Sequence, residues 1–157
     1  MDIALKNEDG IFKLRVCGAL KLGEKFLLIK HEGSNFFCLP GGHVEHGEDS
    51  ETAAKREMEE ELGFPVKLEK LLGIDQNFFP LSNGKSFHEI AFYYLFSPVE
   101  EISVCDFERE ENDKGRLKHH LFRWLSLEEL EKEDVRPKII KKILENSAFP
   151  ILSISKE

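Results

Sequence analysis

The 157-residue sequence predicts an α/β fold in which one sheet is covered by helices. Three observations carry that prediction. Short apolar, β-branched and aromatic runs recur between residues 11 and 125. Other segments space their apolar residues three and four apart, as helices do. The two kinds of segment interleave along the chain, which is the pattern of a sheet with helices packed on it. A chain of this length fits a single domain over 1–157, and no repeat, low-complexity tract or Pro/Gly/Ser linker divides it.

Each element has its own local reason. Residues 11–20 (IFKLRVCGAL) and 25–31 (KFLLIKH) read as two strands, with Leu22-Gly23-Glu24 supplying a hairpin turn. Residues 36–40 (FFCLP) form a third apolar run that ends at the breaker Pro40-Gly41-Gly42. A helix is predicted from Ser50 to Leu62, capped by Asp49 or Ser50 and closed by Gly63. Residues 65–79 read as extended, and 86–97 as a long aromatic strand. The polar stretch 106–118 reads as a loop, and 119–125 as a last strand. Ser126 and Glu129 match a capping box for a short helix. Pro137 then opens a final helix with Ile139, Ile140, Ile143 and Leu144 on one face.

Composition narrows the function. Thirty acidic residues against 22 basic ones give a formal charge of −8. A nucleic-acid polymer or an anionic membrane would require a basic surface, so neither is an expected partner. A small anionic substrate remains compatible, because a bound metal ion inverts the local sign of charge. No apolar run approaches the ~20 residues of a membrane span, and the N-terminal MDIALKNEDG has no apolar leader. Cys17, Cys38 and Cys105 are odd in number and widely spaced, which fits a reducing cytoplasm.

The segment GGHVEHGEDSETAAKREMEEELGF (41–64) carries the chemistry. On its helix Ala54, Met58 and Leu62 form an apolar stripe, Glu57 and Glu61 border it, and Glu60 lies one turn from Glu57. Three carboxylates at these spacings repel one another, and part-burial raises that cost. A hard divalent cation such as Mg²⁺ removes the conflict, since it prefers carboxylate and water oxygens and is shared with substrate phosphates. The competing reading is a solvated acidic face. Arg56 counts against it, because it can pair with a carboxylate and orient it.

The same residues resemble a known pattern. Gly42, five residues, Glu48, seven residues, Arg56-Glu57-Met58, one residue, Glu60-Glu61, one residue and Gly63-Phe64 match the Nudix box at every fixed position. A strand ending in Leu39-Pro40-Gly41-Gly42 before the box, and the segment from Trp124 to Leu130 that looks like the common closing strand and helix, agree in outline. The resemblance implies an α/β/α sandwich around a mixed sheet, with helices on both faces. It implies hydrolysis of a pyrophosphate bond in a nucleoside diphosphate linked to another moiety, such as ADP-ribose, a nucleotide sugar or a (d)NTP. It places Mg²⁺, or Mn²⁺, on Glu57, Glu60 and Glu61, with help from the Gly41 or Gly42 carbonyl. Arg56 and Glu48 would orient these glutamates, and a homodimer would follow the family's habit. The base would be one of the box glutamates or an acid from a distant loop, and a further site glutamate is sought among Glu89, Glu108, Glu110 and Glu111.

Two other readings stay open. One is a Nudix-fold nucleotide-binding or sensor module without turnover, although such modules tend to lose box carboxylates. The other is isopentenyl-diphosphate isomerisation, for which Cys38 is poorly placed. Among smaller signals, His43, His88 and Glu89 are candidate substrate contacts, each set against a surface or structural role. Phe36, Phe37, Phe78 and Phe79 either stack on a base or fill the core. His119 and His120 must point to opposite faces of a strand, so they are poor joint zinc ligands. Pro80, 16 residues after Phe64, resembles the ADP-ribose-hydrolysing subgroup, and a simple prolyl turn explains it equally well.

Overall fold

Alternation along the strands builds the molecule from the inside out. The computed structural model describes residues 1–146 and 148–156. The described strands are β1 (Ala4–Lys6), β2 (Gly10–Leu22), β3 (Lys25–His31), β4 (Gly41–His43), β5 (Val66–Pro80), β6 (Ser86–Pro98), β7 (Phe107–Asp113), β8 (Arg116–Ser126) and β9 (Ile151–Lys156). The helices are α1 (Ser50–Leu62), α2 (Leu127–Leu130) and α3 (Ile139–Glu145). The sheet runs β7-β8-β3-β2-β6-β5-β9, with β1 and β4 also paired to β2. It is mixed: β2–β6 and β5–β9 are parallel and the other pairs antiparallel.

Side chains of opposite parity feed two cores. Val16, Leu20, Leu27, Ile29, Phe122 and Trp124 pack with Ala54, Met58 and Leu62 of α1. Cys17, Ala19, Phe26, Leu28, Tyr93 and Leu125 pack on the other face with Leu130 of α2 and Ile140, Ile143 and Leu144 of α3. Helices therefore cover both faces, the sandwich that the resemblance implies.

The sequence rules hold at most boundaries. Asp49 caps α1 by accepting from the Thr52 amide, and Gly63 ends it at φ 80°, a left-handed position. The Ser126–Glu129 capping box is complete, with both reciprocal bonds formed. Gly23, at φ 60°, opens the two-residue turn between β2 and β3.

Three expectations are corrected. Residues 36–40 do not form a ladder: Cys38 bridges Ile29 and Phe37 bridges Val135, each in isolation. Pairing resumes one residue after Pro40, which has no N–H to donate; its carbonyl accepts from Gly18 instead. The polar stretch 106–118 is a β-hairpin rather than a loop, with β7 antiparallel to β8 through the Lys114-Gly115 turn. Both turn residues have positive φ, 52° and 86°, the signature of a type I′ turn. As an edge strand, β7 needs few apolar residues and hydrogen-bonds one neighbour only. The strand over 119–125 is also not the last, since β9 pairs with β5 after α3.

The α1 core closes on one tight contact. Gly18 lies directly beneath the Met58 side chain, where a Cβ would collide with its sulfur. Met58 is fully buried, so the helix sits close to the sheet only because residue 18 has no side chain. Met58→Ala is expected to cost about 2–5 kcal/mol of unfolding free energy, the usual range for truncating a buried Met. Urea unfolding measures it, and a loss under about 1 kcal/mol would remove this contact from the helix anchor.

Candidate active site

Helical spacing brings Glu57, Glu60 and Glu61 to one side of α1, and β4 lies against that side. Gly42 abuts the Glu57 carboxylate so closely that any Cβ there would strike it. Next to it, the Gly41 N–H donates to Glu61 Oε2 at 2.7 Å. Gly41, Gly42, His43, Glu57, Glu60 and Glu61 thus share a cleft of about 340 Å³. The far wall is the β7–β8 hairpin, which brings Arg109, Glu110, Glu111 and His120 to the same cleft.

Arg56 organises the carboxylates. Its Nε and Nη2 donate to Glu48 Oε1 and Oε2 at 2.8 and 2.9 Å, a bidentate fork. Its Nη1 donates to Glu57 Oε1 at 2.9 Å, and its Nη2 also to the His43 carbonyl at 3.1 Å. This hydrogen bonding holds the Glu48 carboxyl down at about 2. One guanidinium therefore fixes the box loop, β4 and α1 relative to one another.

Glu61 is the electrostatic outlier. Burial pushes its carboxyl up to about 8, with the neighbouring charges of Glu57 and Glu111 adding to the effect. The Gly41 amide and Arg15 oppose that rise without cancelling it. Glu57 is also raised, first by burial, against the pull of Arg56. Among the described residues no three His, Cys, Asp or Glu side chains already converge in metal-binding geometry. Glu57 is turned onto Arg56, and Glu61 onto the Gly41 amide. The donor set nevertheless fits a hard divalent cation: oxygen ligands on a rigid helix, one of them buried among like charges and directly bonded only to a neutral amide.

A second cavity of about 540 Å³ opens beside the cleft, and Arg15 and His31 line both. Its walls include Phe36, Phe79, Phe87, Pro80 and Arg136, with Asn77 and Glu89 also exposed to it. Arg136 lies 4.9 Å over the Phe36 ring, and Phe79 stacks on Phe87 at 4.4 Å. Arg15 Nη1 is 3.8 Å from Glu89, to which Asn77 Nδ2 donates at 3.5 Å. Arg15 Nε and Asn77 Oδ1 have no protein partner. The cavity combines aromatic walls with a few polar side chains, the usual make-up of a small-molecule site.

The sequence-derived candidates divide accordingly. Glu57, Glu60, Glu61, Gly41, Gly42 and His43 meet at the cleft, Arg56 holds Glu57 from outside its lining, and Glu89 lies in the adjoining cavity. Burial, then Lys13 and Arg15, lower the His43 pKa, which favours its neutral form. His88 does not reach either cavity. Its ring is stacked on Phe78 at 4.2 Å and meets Phe12 edge-on at 5.2 Å. It stands one residue from Glu89 on a strand, so the two must face opposite sides. Phe36 and Phe79 line the second cavity, whereas Phe37 is core and Phe78 belongs with His88.

Arg15, His31, Asn77 and Arg136 line these cavities and are not among the sequence-derived candidates. Arg15 did leave a signal, being the cation in the middle of the apolar run IFKLRVCGAL. Of the candidate further acids, Glu110 and Glu111 line the cleft, while Glu108 lies on another depression. His120 Nε2 is 2.9 Å from Glu111 Oε2, and His120 Nδ1 is 3.2 Å from His31 Nδ1. A carboxylate partner requires the proton on His120 Nε2, so neutral His120 accepts at Nδ1 from His31. His119 faces away and is half exposed, as strand geometry requires. Cys38 lines the second cavity, but burial pushes its thiol up to about 12, which does not favour the reactive thiolate an isomerase reading would want.

Comparison with known proteins places the chain by sequence and fold. The family model described as NUDIX domain matches residues 12–146. The ADP-ribose pyrophosphatase of Methanocaldococcus jannaschii is 45% identical over 62 residues, 38% of this chain and 37% of that protein. A putative 8-oxo-dGTP diphosphatase of Bacillus subtilis is 39% identical over 57 residues, 36% of this chain and 38% of that protein. The matches therefore span less than two fifths of these curated relatives. Among solved structures, a MutT NUDIX hydrolase from Burkholderia pseudomallei is similar with a TM-score of 0.57 and 27% identity, over 85% of this chain and 96% of that one. An ADP-ribose pyrophosphatase from Streptococcus suis 89-1591 shares the fold at a TM-score of 0.60 and 16% identity, over 90% and 98%.

The raised Glu61 carboxyl makes stability depend on pH. An unfolded glutamate ionises near 4.5, whereas folded Glu61 keeps its proton to about 8. Its favourable contribution is thus complete below the unfolded value and is lost as pH rises through about 8. In EDTA, Glu61→Gln is expected to gain on the wild type in melting temperature between about pH 5 and pH 8.5. Added Mg²⁺ should raise the wild-type midpoint at the upper pH and leave the variant nearly unmoved. Parallel pH dependences in the two proteins, or equal Mg²⁺ shifts, would refute this placement of Glu61.

Proposed function

The chain belongs to the Nudix family, and from that premise we propose that it hydrolyses a pyrophosphate bond in a nucleoside diphosphate linked to another moiety, with Mg²⁺ or Mn²⁺ as cofactor. The single observation that carries this reading is the junction of the two cavities. A carboxylate cleft able to hold a cation shares Arg15 and His31 with an aromatic cavity suited to a nucleoside.

The residues divide the work. Phe36 and Phe79 offer apolar faces to a base, with Arg136 backing Phe36. Arg15, at the junction, meets the diphosphate as it passes from one cavity to the other. Glu57, Glu60, Glu61 and a Gly41 or Gly42 carbonyl would hold the cation, and Arg56, forked on Glu48, keeps Glu57 in place. The cation, when bound, neutralises phosphate oxygens and makes water more acidic.

Water attacks one phosphorus of the diphosphate. A new P–O bond forms, the bridging P–O bond breaks, and the leaving phosphate carries off the electron pair. We assign the water proton to Glu111, which lines the cleft and is oriented by His120, itself fixed by His31. Substrates in two classes fit this pocket. ADP-ribose or a nucleotide sugar would yield two monophosphates, and a (d)NTP would yield a nucleoside monophosphate and pyrophosphate. Pro80 lines the nucleoside cavity, which favours testing ADP-ribose first.

Product analysis with Mg²⁺ and a panel of ADP-ribose, nucleotide sugars, dinucleoside polyphosphates, and normal and oxidised dNTPs tests the reading. Glu60→Gln, Glu61→Gln and Glu111→Gln should each lower turnover by at least ~10²-fold in a folded protein. Glu111→Gln should keep the Mg²⁺-induced rise in melting temperature, which separates a base from a ligand. Wild-type rates in both box variants would sink the assignment of α1 as the metal site. Nucleotide binding without turnover on any substrate would instead identify a sensor module.

The aromatic cavity yields a separate expectation. Phe36→Ala or Phe79→Ala should raise KM about tenfold or more with little change in kcat, since base stacking contributes ~1–3 kcal/mol. A fall in kcat alone would mean that the nucleoside lies elsewhere.

A further inference from the structure

The carboxylate cleft is poor in fixed positive charge. Glu57, Glu60, Glu61, Glu110 and Glu111 line it, and among the described residues Arg15 and Arg109 are its only arginine or lysine side chains. The two stand at different ends. Arg15 belongs to both cavities, whereas Arg109 lines the cleft alone. Arg109, His120 and His31 form one rung across β7, β8 and β3. His31 marks the junction with the aromatic cavity, and the Arg109 backbone lies two strands beyond it, about 10 Å away.

Strand parity and one hydrogen bond aim Arg109. Phe107, Arg109 and Glu111 share one face of β7. Phe107 stacks on Phe122 at 4.7 Å within the core beneath α1, so that face looks toward the glutamate helix. Arg109 is part-buried, and its Nη1 donates to the Glu61 carbonyl at 2.8 Å. The last turn of α1 has no basic residue of its own, so this guanidinium meets the negative end of the helix dipole. Gly63 makes room for it, since a Cβ there would strike the guanidinium. The bond fixes the guanidinium plane and uses only one of its five N–H donors. Arg15 lies beside Glu89, and Arg56 is bound to Glu48 and Glu57. Among the described residues, Arg109 has no such carboxylate partner.

We propose that Arg109 binds the phosphate remote from the nucleoside, and so selects the intact diphosphate over a nucleoside monophosphate. The proposal rests on the diphosphate reading given above. A diphosphate whose nucleoside fills the aromatic cavity leaves its first phosphate at Arg15 and carries the second toward the β7–β8 hairpin. There the glutamates of α1 and β7 repel it. A cation on α1 offsets that repulsion on one wall, and Arg109 supplies positive charge on the other. A guanidinium presents parallel N–H groups to two phosphate oxygens, which an ammonium does not. Its anchor on the Glu61 carbonyl also ties it to α1, so the phosphate-binding donor and the carboxylates keep a fixed spacing. A nucleoside monophosphate ends at Arg15 and does not reach Arg109, so cleavage of the substrate itself removes this contact.

Titration calorimetry with ligands that are not turned over tests the proposal. The probes are the α,β-methylene diphosphates of adenosine and guanosine, whose P–C–P bridge resists hydrolysis, and AMP and GMP, all with Mg²⁺. The wild type should bind at least one methylene diphosphate about tenfold or more tighter than its monophosphate. Arg109→Gln should weaken the diphosphate by at least about tenfold and leave the monophosphate within about twofold, as loss of a charged hydrogen bond implies. Arg109→Lys should recover only part of the difference. Arg116→Gln removes the same charge from an exposed position on the hairpin and should keep the wild-type preference. Arg109→Gln should also keep the Mg²⁺-induced rise in melting temperature, which a collapse of α1 would abolish. A full diphosphate preference in Arg109→Gln would overturn the proposal, and so would an equal loss of both ligands or a lost Mg²⁺ response. A wild type without the preference would overturn it together with the diphosphate reading, so the two failures are told apart.

Discussion

The close approach of β4 to α1 is the constraint on which the rest of the site depends. Gly42 leaves no room for a Cβ beside Glu57, and the adjacent Gly41 amide binds Glu61. On the helix's inner side Met58 rests on Gly18 in the same way. These contacts press a helix bearing several glutamates against a sheet, a placement that burial alone would resist. Arg56 makes it tenable by joining Glu48, Glu57 and the His43 carbonyl through one guanidinium. What remains uncompensated is Glu61, whose carboxyl is pushed up to about 8. A cation would meet that residual demand, so the architecture that anchors the helix also creates the reason to bind metal.

The second organising feature is parity. In β2, β5 and β6 one set of alternate residues supplies Arg15, Asn77 and Glu89 to the aromatic cavity. The other set supplies Phe12, Leu14, Ile74, Ile90 and Phe92 to the opposite face. A shift of one residue in any of these strands would exchange the two sets. The aromatic cavity and the apolar back surface are therefore products of one register, set by the long β2–β6 and β5–β6 ladders. The β7–β8 hairpin completes the arrangement from the far side, where Arg109 donates to the Glu61 carbonyl at 2.8 Å and Glu111 faces the cleft.

Much of this was legible before any coordinates. The 41–64 segment announced its helix, its caps and its carboxylates, because all of these are local properties of a dozen residues. The capping box at Ser126 and the apolar face of α3 were local too. The misread segments share a cause. Residues 36–40 looked like a strand from their apolar side chains, but Pro40 and the available partners allow only isolated bridges. Residues 106–118 looked like a loop because an edge strand can be polar on both faces. His88 drew interest as a histidine beside a glutamate, yet strand parity sends the two apart.

The sequence by itself determined the α/β class, the helix that carries Glu57, Glu60 and Glu61, and the family pattern they spell. Each rests on spacing within one element, where geometry follows from residue order alone. Only the tertiary structure decided that Glu111 and His120 join the cleft, that Arg15 and His31 connect it to an aromatic cavity, and that the opposite sheet face is left apolar and uncovered. Those juxtapositions bring together residues far apart in the chain. Which of them meet is set by strand order and register, and neither is encoded in any single stretch of sequence.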